Sequence, residues 1–177
     1  MRQNDSCDYG TDLTMNITPY QPAQWPEVWR ILEPVFRAGE SYAYATDITE
    51  EQAKAVWIDA PQATYVALNP VGEVLGTFYI KPNQPALGAH VCNCGYVVGE
   101  NARGQGVAAQ MCDFSQIEAV RLGFKAMQYN LVAATNTGAV ALWQRQGFAI
   151  VGTLPKAFQH QRLGLVDAHV MFKTLQA

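Results

Sequence analysis

Between residues 95 and 108 the chain reads GYVVGENARGQGVA. An apolar run ends at Val98, a short polar turn follows, and Gly104 and Gly106 open a stretch with helical periodicity. Glycines at such a junction admit a close backbone approach. The helix N-terminus that they open offers N–H groups without intrahelical partners and the positive end of the helix dipole. Arg103 adds a permanent positive charge. Together these favour a diphosphate. A P-loop is excluded, because no Lys-Ser/Thr pair follows Gly106. The letters from Gly104 to Ala109 match a dinucleotide fingerprint. That motif, however, needs its strand to run straight into the first glycine and an acid about twenty residues later. Here Gly99–Arg103 intervenes and the stretch Gly123–Lys125 carries no acid.

Other reactive types are less well grouped. Cys7, Cys92, Cys94 and Cys112 are scattered, and free thiols are expected in a chain whose polar start lacks the apolar stretch of a signal peptide. His90, Cys92 and Cys94 have the spacing of one strand face, and no second pair completes four ligands, so no metal is expected. Cys112 falls inside a helical stretch with no partner nearby, which argues against a nucleophile. Residues 1–80 hold four Lys/Arg against eleven Asp/Glu, net −7, and residues 81–177 hold eight against four, net +4. The basic half suits an anionic ligand and the acidic half a cationic one. With no basic run and a pI near 5.5, nucleic acid is not an expected partner. No apolar run reaches the roughly 18 to 20 residues needed to span a bilayer, so the expected location is cytoplasmic.

The elements that position these residues follow from periodicity. At 49% apolar and 15% charged the chain is composed like a folded protein rather than a disordered one. Residues 1–14 are expected to be a disordered extension and 15–177 a single domain. A strand at Asn16–Tyr20 leads into a helix over Gln21–Gly39, which Pro34 should end or kink. A short helix follows from Thr49 to Ile58, beyond the polar and aromatic loop GESYAYATD. Strands are predicted at Ala63–Leu68, Glu73–Ile80 and His90–Val98, with Lys81–Gly88 a loop. Then come a helix from Gly104 to Leu122, a strand at Ala126–Ala133, and a helix from Asn136 to Gln146. Strands at Phe148–Leu154 and Leu165–Phe172 flank a loop over Pro155–Gly164. Hairpin-capable strands before a β-α-β crossover predict an α/β fold with a mixed sheet flanked by helices.

The residues Arg103-Gly-Gln-Gly106-Val-Ala108 resemble the acyl-CoA signature of the Gcn5-related N-acetyltransferases, Gln/Arg-x-x-Gly-x-Gly/Ala. Downstream, Asn136-Thr-Gly-Ala139-Val-Ala-Leu142-Trp143-Gln-Arg-Gln-Gly147-Phe148 is similar to that family's Asn-x-x-Ala-x-x-Leu-Tyr-x-x-x-Gly-Phe segment. The tail from His160 to Met171 further resembles the small-metabolite branch, which includes phosphinothricin-type and amino-acid N-acetyltransferases. The likeness covers about Asn16 to Leu175.

The resemblance implies a mostly antiparallel sheet of about seven strands and four helices, splayed between the fourth and fifth strands. It implies acetyl-CoA as co-substrate and direct attack by a small amine, such as an amino acid, and homodimers are frequent among such proteins. Backbone groups of Tyr96, Val97 and Val98 would bind the pantetheine, with the Val98 N–H as oxyanion donor. Amides from Arg103 through Gly104, Gln105, Gly106 and Val107 to Ala108 would hold the diphosphate. Asn136 would bind the pantetheine or cap its helix, beside Ala139. The family often uses a tyrosine to protonate the leaving sulfur, but Trp143 stands there, and an indole is no acid near neutral pH. Its expected role is packing. Glu40 is the first candidate base, with Tyr42 and Tyr44 shaping the acceptor pocket. His160 and Asp167 are further acceptor-side candidates, and His90 another possible base. Acylation of a protein N-terminus or lysine, or silent acyl-CoA sensing, are the alternatives.

Overall fold

A computed structural model describes residues 15–176. The residues expected to form the N-terminal extension lie outside that range. One seven-stranded sheet has the order β1-β2-β3-β4-β5-β7-β6. Its strands are β1 (Asn16–Pro19), β2 (Ala63–Leu68), β3 (Val74–Pro82), β4 (Val91–Val98), β5 (Ala126–Ala133), β6 (Ala149–His160) and β7 (Gly164–Thr174). Among the described residues only the β4–β5 pairing is parallel. The helices are α1 (Trp25–Ala38), α2 (Glu50–Lys54), α3 (Val107–Arg121) and α4 (Thr137–Arg145). Among the described residues no helix is long and apolar enough to cross a membrane.

Strand alternation builds a core on each face of the sheet. Tyr65, Ala67, Phe78 and Ile80 point to the face covered by α3, where Val107, Met111 and Ala119 meet them. Val66, Tyr79 and Val97 point the other way, onto Val28, Leu32 and Phe36 of α1 and onto Trp57. Trp57 is fully buried, and its indole N–H donates to Thr77 Oγ1 at 3.2 Å, so the ring carries no stranded polar atom.

The structure changes several expected boundaries. Pro34 neither ends nor breaks α1. Ile31, Leu32 and Phe36 are buried on either side of it, and the helix runs on to a left-handed cap at Gly39, φ 60°. Helix α2 starts from a capping box between Thr49 and Gln52 and continues into one wide turn that Ala60 N closes on Ala55 O at 2.9 Å. Helix α3 starts at Val107 rather than Gly104, because Gly104 and Gly106 adopt φ of 75° and 79°, outside helical space. Strand β3 extends through Lys81 and Pro82. The loop expected over Pro155–Gly164 is mostly β6, which pairs with β7 as far as His160 with a register shift between Leu154 and Phe158. Pro155 is accommodated because β6 is the sheet edge, where a missing N–H costs no ladder bond.

Candidate active site

Strands β4 and β5 pair only at Val91 with Ala126 and at Cys92 with Met127, then part. At the parting point stands Asn93, 8% exposed. Its side-chain amide donates to Gln128 O at 2.9 Å, and its Oδ1 accepts from the Tyr79 hydroxyl at 3.2 Å. A polar side chain thus takes the place of the next backbone bond between the strands. Beyond it lies a cleft of about 960 Å³, lined by both strands, the loop before α2, the turn before α3, the start of α4 and the β6–β7 turn.

The backbone of β4 is turned toward this opening in a defined way. Gly99 N donates to Leu75 O at 2.8 Å and Val91 O accepts from Asn83 N at 2.8 Å, so odd-numbered residues face β3. Successive residues alternate, which turns the N–H and C=O of Cys94, Tyr96 and Val98 toward the splay. The Tyr96 carbonyl accepts from the Tyr42 hydroxyl at 2.8 Å, while Val98 carries its N–H at the cleft wall. Val97 instead turns its backbone to β3 and its side chain into the core against α1.

At one end of the cleft, Arg103 lines the wall and Gly104–Gly106 form the turn into α3. A Cβ at Gly104 would meet nothing within 4 Å, and one at Gly106 only the Gln110 amide at 4.0 Å. These glycines therefore serve backbone conformation, and the space above them is open. The first α-helical bond here is Gln110 N to Gly106 O at 3.1 Å, which leaves the N–H groups of Val107, Ala108 and Ala109 without helical partners. Gln105 reaches back to Asn101 O at 2.8 Å and tightens the turn.

Asn136, Ala139 and Trp143 bring α4 to the same cleft. Asn136 caps its helix, its Oδ1 accepting from Ala139 N at 3.2 Å. Trp143, 9% exposed, packs with ring centroids 5.0 Å from Tyr96 and 5.1 Å from Tyr129.

The opposite half gathers Glu40, Tyr42, Tyr44 and His160, with Arg162 joining them from the β6–β7 turn. Glu40 Oε1 lies 2.5 Å from Arg162 Nε, and Gln161 N donates to Gly39 O at 3.1 Å, so the turn is latched to the loop after α1. Tyr42 and Tyr44 stack at 5.9 Å. Burial raises the pKa of Tyr42 and Tyr79 well above the ordinary phenol range, and both stay neutral. His160 is buried, and its Nδ1 accepts from Arg162 N at 3.2 Å. That bond places the ring proton on Nε2 and leaves no free lone pair, so His160 is poorly set to act as a base.

Two candidates fall elsewhere. Asp167 does not line the cleft; its Oδ1 accepts from Lys156 N at 2.9 Å and holds the β6 bulge, where Lys156 has φ 54°. His90 is exposed ahead of β4, also outside the cleft. Cys92, Cys94 and Cys112 are buried free thiols, and burial keeps Cys94 and Cys112 protonated by raising their pKa. Among the described residues no group of three or more His, Cys, Asp or Glu is placed to hold a metal ion. Asn93, Tyr129 and Arg162 were not singled out from sequence. The signal for Asn93 was a polar residue inside an apolar strand; Tyr129 and Arg162 gave none, because their significance depends on where the strands diverge.

Comparison with known proteins gives the family and the fold. The Acetyltransferase (GNAT) family matches residues 25–148, and the chain belongs to that family. The N-acetyltransferase aca1 of Schizosaccharomyces pombe is 35% identical over 114 residues, covering 63% of this chain. The match spans about half of that relative, 54% of its length. A GCN5-related N-acetyltransferase from Kribbella flavida superposes with a TM-score of 0.86 at 41% identity, over 91% of this chain and 98% of that one. A phosphinothricin acetyltransferase from Sinorhizobium meliloti, solved in complex with AcCoA, shares the fold with a TM-score of 0.81 at 17% identity, over 92% of this chain and 89% of that one.

Proposed function

We propose that this chain is an acetyl-CoA-dependent N-acetyltransferase acting on a small amine, an amino acid or a compound resembling one. The observation that carries the reading is the cleft that runs from the β4–β5 splay to Arg103, just ahead of the glycine turn into α3. In this reading the amides of Arg103 to Ala108 bind the diphosphate, helped by the Arg103 charge and the α3 dipole. The pantetheine lies in the splay, against Tyr96 and Val98 on one side and Asn136, Ala139 and Trp143 on the other. The Val98 N–H receives the thioester oxygen as charge builds on it, a preorganised donor of a kind worth about 3 kcal/mol. Glu40 takes the proton from the ammonium, since only one of its oxygens is engaged by Arg162.

A small acceptor is supported by the contacts that hold the far end of the cleft. The Glu40–Arg162 pair and the Gln161–Gly39 bond latch the β6–β7 turn over it, and stacked Tyr42 and Tyr44 wall it. The exposed apolar side chains Ile150, Val151 and Leu154 on edge strand β6 favour pairing with a second copy.

Thioester cleavage measured with a panel of free amino acids, amino-acid analogues and peptides tests the proposal. Turnover with a free amine is the expected outcome. Turnover only with peptides would move the acceptor to proteins, and tight acetyl-CoA binding without any turnover would make the chain a sensor.

A further inference from the structure

The β6–β7 turn brings to the cleft two nitrogen-bearing side chains whose donors are only partly used. Arg162 gives its Nε to Glu40 Oε1 at 2.5 Å, and its Nη1 and Nη2 have no partner among the described residues. His160 lies two residues earlier, 6% exposed, and both residues line the cleft. Its Nδ1 accepts from Arg162 N at 3.2 Å, so Nε2 carries the proton, and that N–H also lacks a partner among the described residues. Among them the one fully enclosed side-chain polar atom without a partner is the Tyr20 hydroxyl. The His160 Nε2–H therefore reaches open space, and the space that His160 borders is the cleft. An exposed guanidinium alone holds an anion weakly in water. A buried imidazole N–H beside it bonds more strongly, because its surroundings are less polar.

We propose that Arg162 and His160 form a subsite for a carboxylate on the acceptor, which makes the acceptor a zwitterion of the free α-amino-acid kind. This rests on the acetyltransferase reading above. Glu40 and Arg162 stand side by side with opposite charges. An α-amino acid holds its ammonium and its carboxylate one carbon apart, with charges that complement that pair. The Nη groups of Arg162 and the Nε2–H of His160 donate to the carboxylate, and the ammonium turns to the Glu40 oxygen that Arg162 leaves unused. Glu40, Arg162 and such an acceptor together carry no net charge. A simple amine would leave an unmatched positive charge there, and a simple carboxylate an unmatched negative one. A protein lysine or N-terminus brings no carboxylate beside its amine, so the subsite selects against both.

The test compares each free L-amino acid with its own carboxamide in the thioester-cleavage assay, for wild type, Arg162→Gln and His160→Phe. The carboxamide keeps the amine and the side chain and removes only the anion. Wild type should favour the free acid in kcat/KM by about tenfold or more, the worth of hydrogen bonds to a charged group. Arg162→Gln should lose most of that preference and His160→Phe part of it. Any disturbance of Glu40 slows both substrates and cancels in the ratio. Calorimetry should give both variants the wild-type affinity for acetyl-CoA, which reports intact folding. Equal rates with acid and carboxamide in wild type, or the wild-type ratio in Arg162→Gln, overturn the subsite and leave the acetyltransferase reading in place. The wild-type ratio in His160→Phe removes His160 from it. No turnover with any amine removes that reading, and the subsite with it.

Discussion

The Asn93 side-chain amide donates to the Gln128 carbonyl across 2.9 Å, at the last point where β4 and β5 are in contact. The same side chain accepts from the Tyr79 hydroxyl. One residue therefore satisfies a backbone acceptor on β5 and a buried phenol from β3, and the strands diverge without stranding either. Asn93→Ala leaves both groups unpaired in a buried setting, each worth about 1–3 kcal/mol if water does not replace the lost partner. Urea denaturation should show a loss of about 2 kcal/mol or more, and the KM for acetyl-CoA should rise because the mouth of the splay is no longer fixed.

Gly106 has φ 79° and open space above its Cα. Gly106→Ala tests conformation alone and should cost about 1 kcal/mol of stability. Gly106→Asp, in a residue type that tolerates this backbone better, adds a carboxylate where the diphosphate is proposed to bind. Calorimetry should detect no acetyl-CoA binding by the Asp variant and weakened but measurable binding by the Ala variant. Equal affinity in both would remove the diphosphate from this turn.

Much of this arrangement is legible in the sequence. Helix α1 is readable from its apolar spacing, β2 from the hairpin turn that follows it, α4 from the glycine that ends it, and the Arg103–Ala108 turn from its own glycines. The misplacements have local causes. Pro155 reads as a loop residue unless β6 is known to be the sheet edge, and Gly104 reads as helix until its left-handed backbone is seen. Asp167 was grouped with the acceptor side by position in the chain, whereas a bulge in β6 turns it to the Lys156 amide. Arg162 and Tyr129 depend on long-range placement. Residues 122 positions apart, Glu40 and Arg162, meet only because β6 returns along β7 to the loop after α1.

Trp143 packs beside both Tyr96 and Tyr129 at the wall of the cleft. Trp143→Phe keeps an aromatic face and removes only the indole N–H and some volume. Steady-state kinetics should show most of the turnover retained. A thousandfold loss would mean that the indole N–H itself supports the reaction.

Glu40 and Arg162 make an ion pair at the cleft, with side chains 32% and 75% exposed. Surface pairs of this kind contribute little to stability. Glu40→Gln keeps a hydrogen-bond acceptor for Arg162 but cannot take a proton from an ammonium. Turnover should drop about 10²-fold with acetyl-CoA affinity unchanged. Because a base matters most while the amine is protonated, raising the pH toward the amine pKa should restore part of the rate. A variant as fast as wild type at neutral pH would pass the role to another group or to water.

Glu118 lies on α3 beneath β2, accepting from Arg121 Nε at 2.7 Å, from Arg121 Nη2 at 2.6 Å, and from the Tyr65 hydroxyl. The Arg121 bonds hold its carboxyl below the ordinary range, while burial and Glu118 push the Tyr65 phenol up to about 12. A carboxyl lowered in the folded state contributes stability above its unfolded pKa of about 4.3, and that contribution is lost as pH falls through the lower folded value. Glu118→Gln removes the titrating group. The difference in urea midpoint between wild type and Glu118→Gln should therefore be constant from neutral pH down to about 5 and shrink below about 4. A difference that did not change with pH would mean that shape and neutral hydrogen bonding, rather than the carboxylate charge, hold α3 against β2.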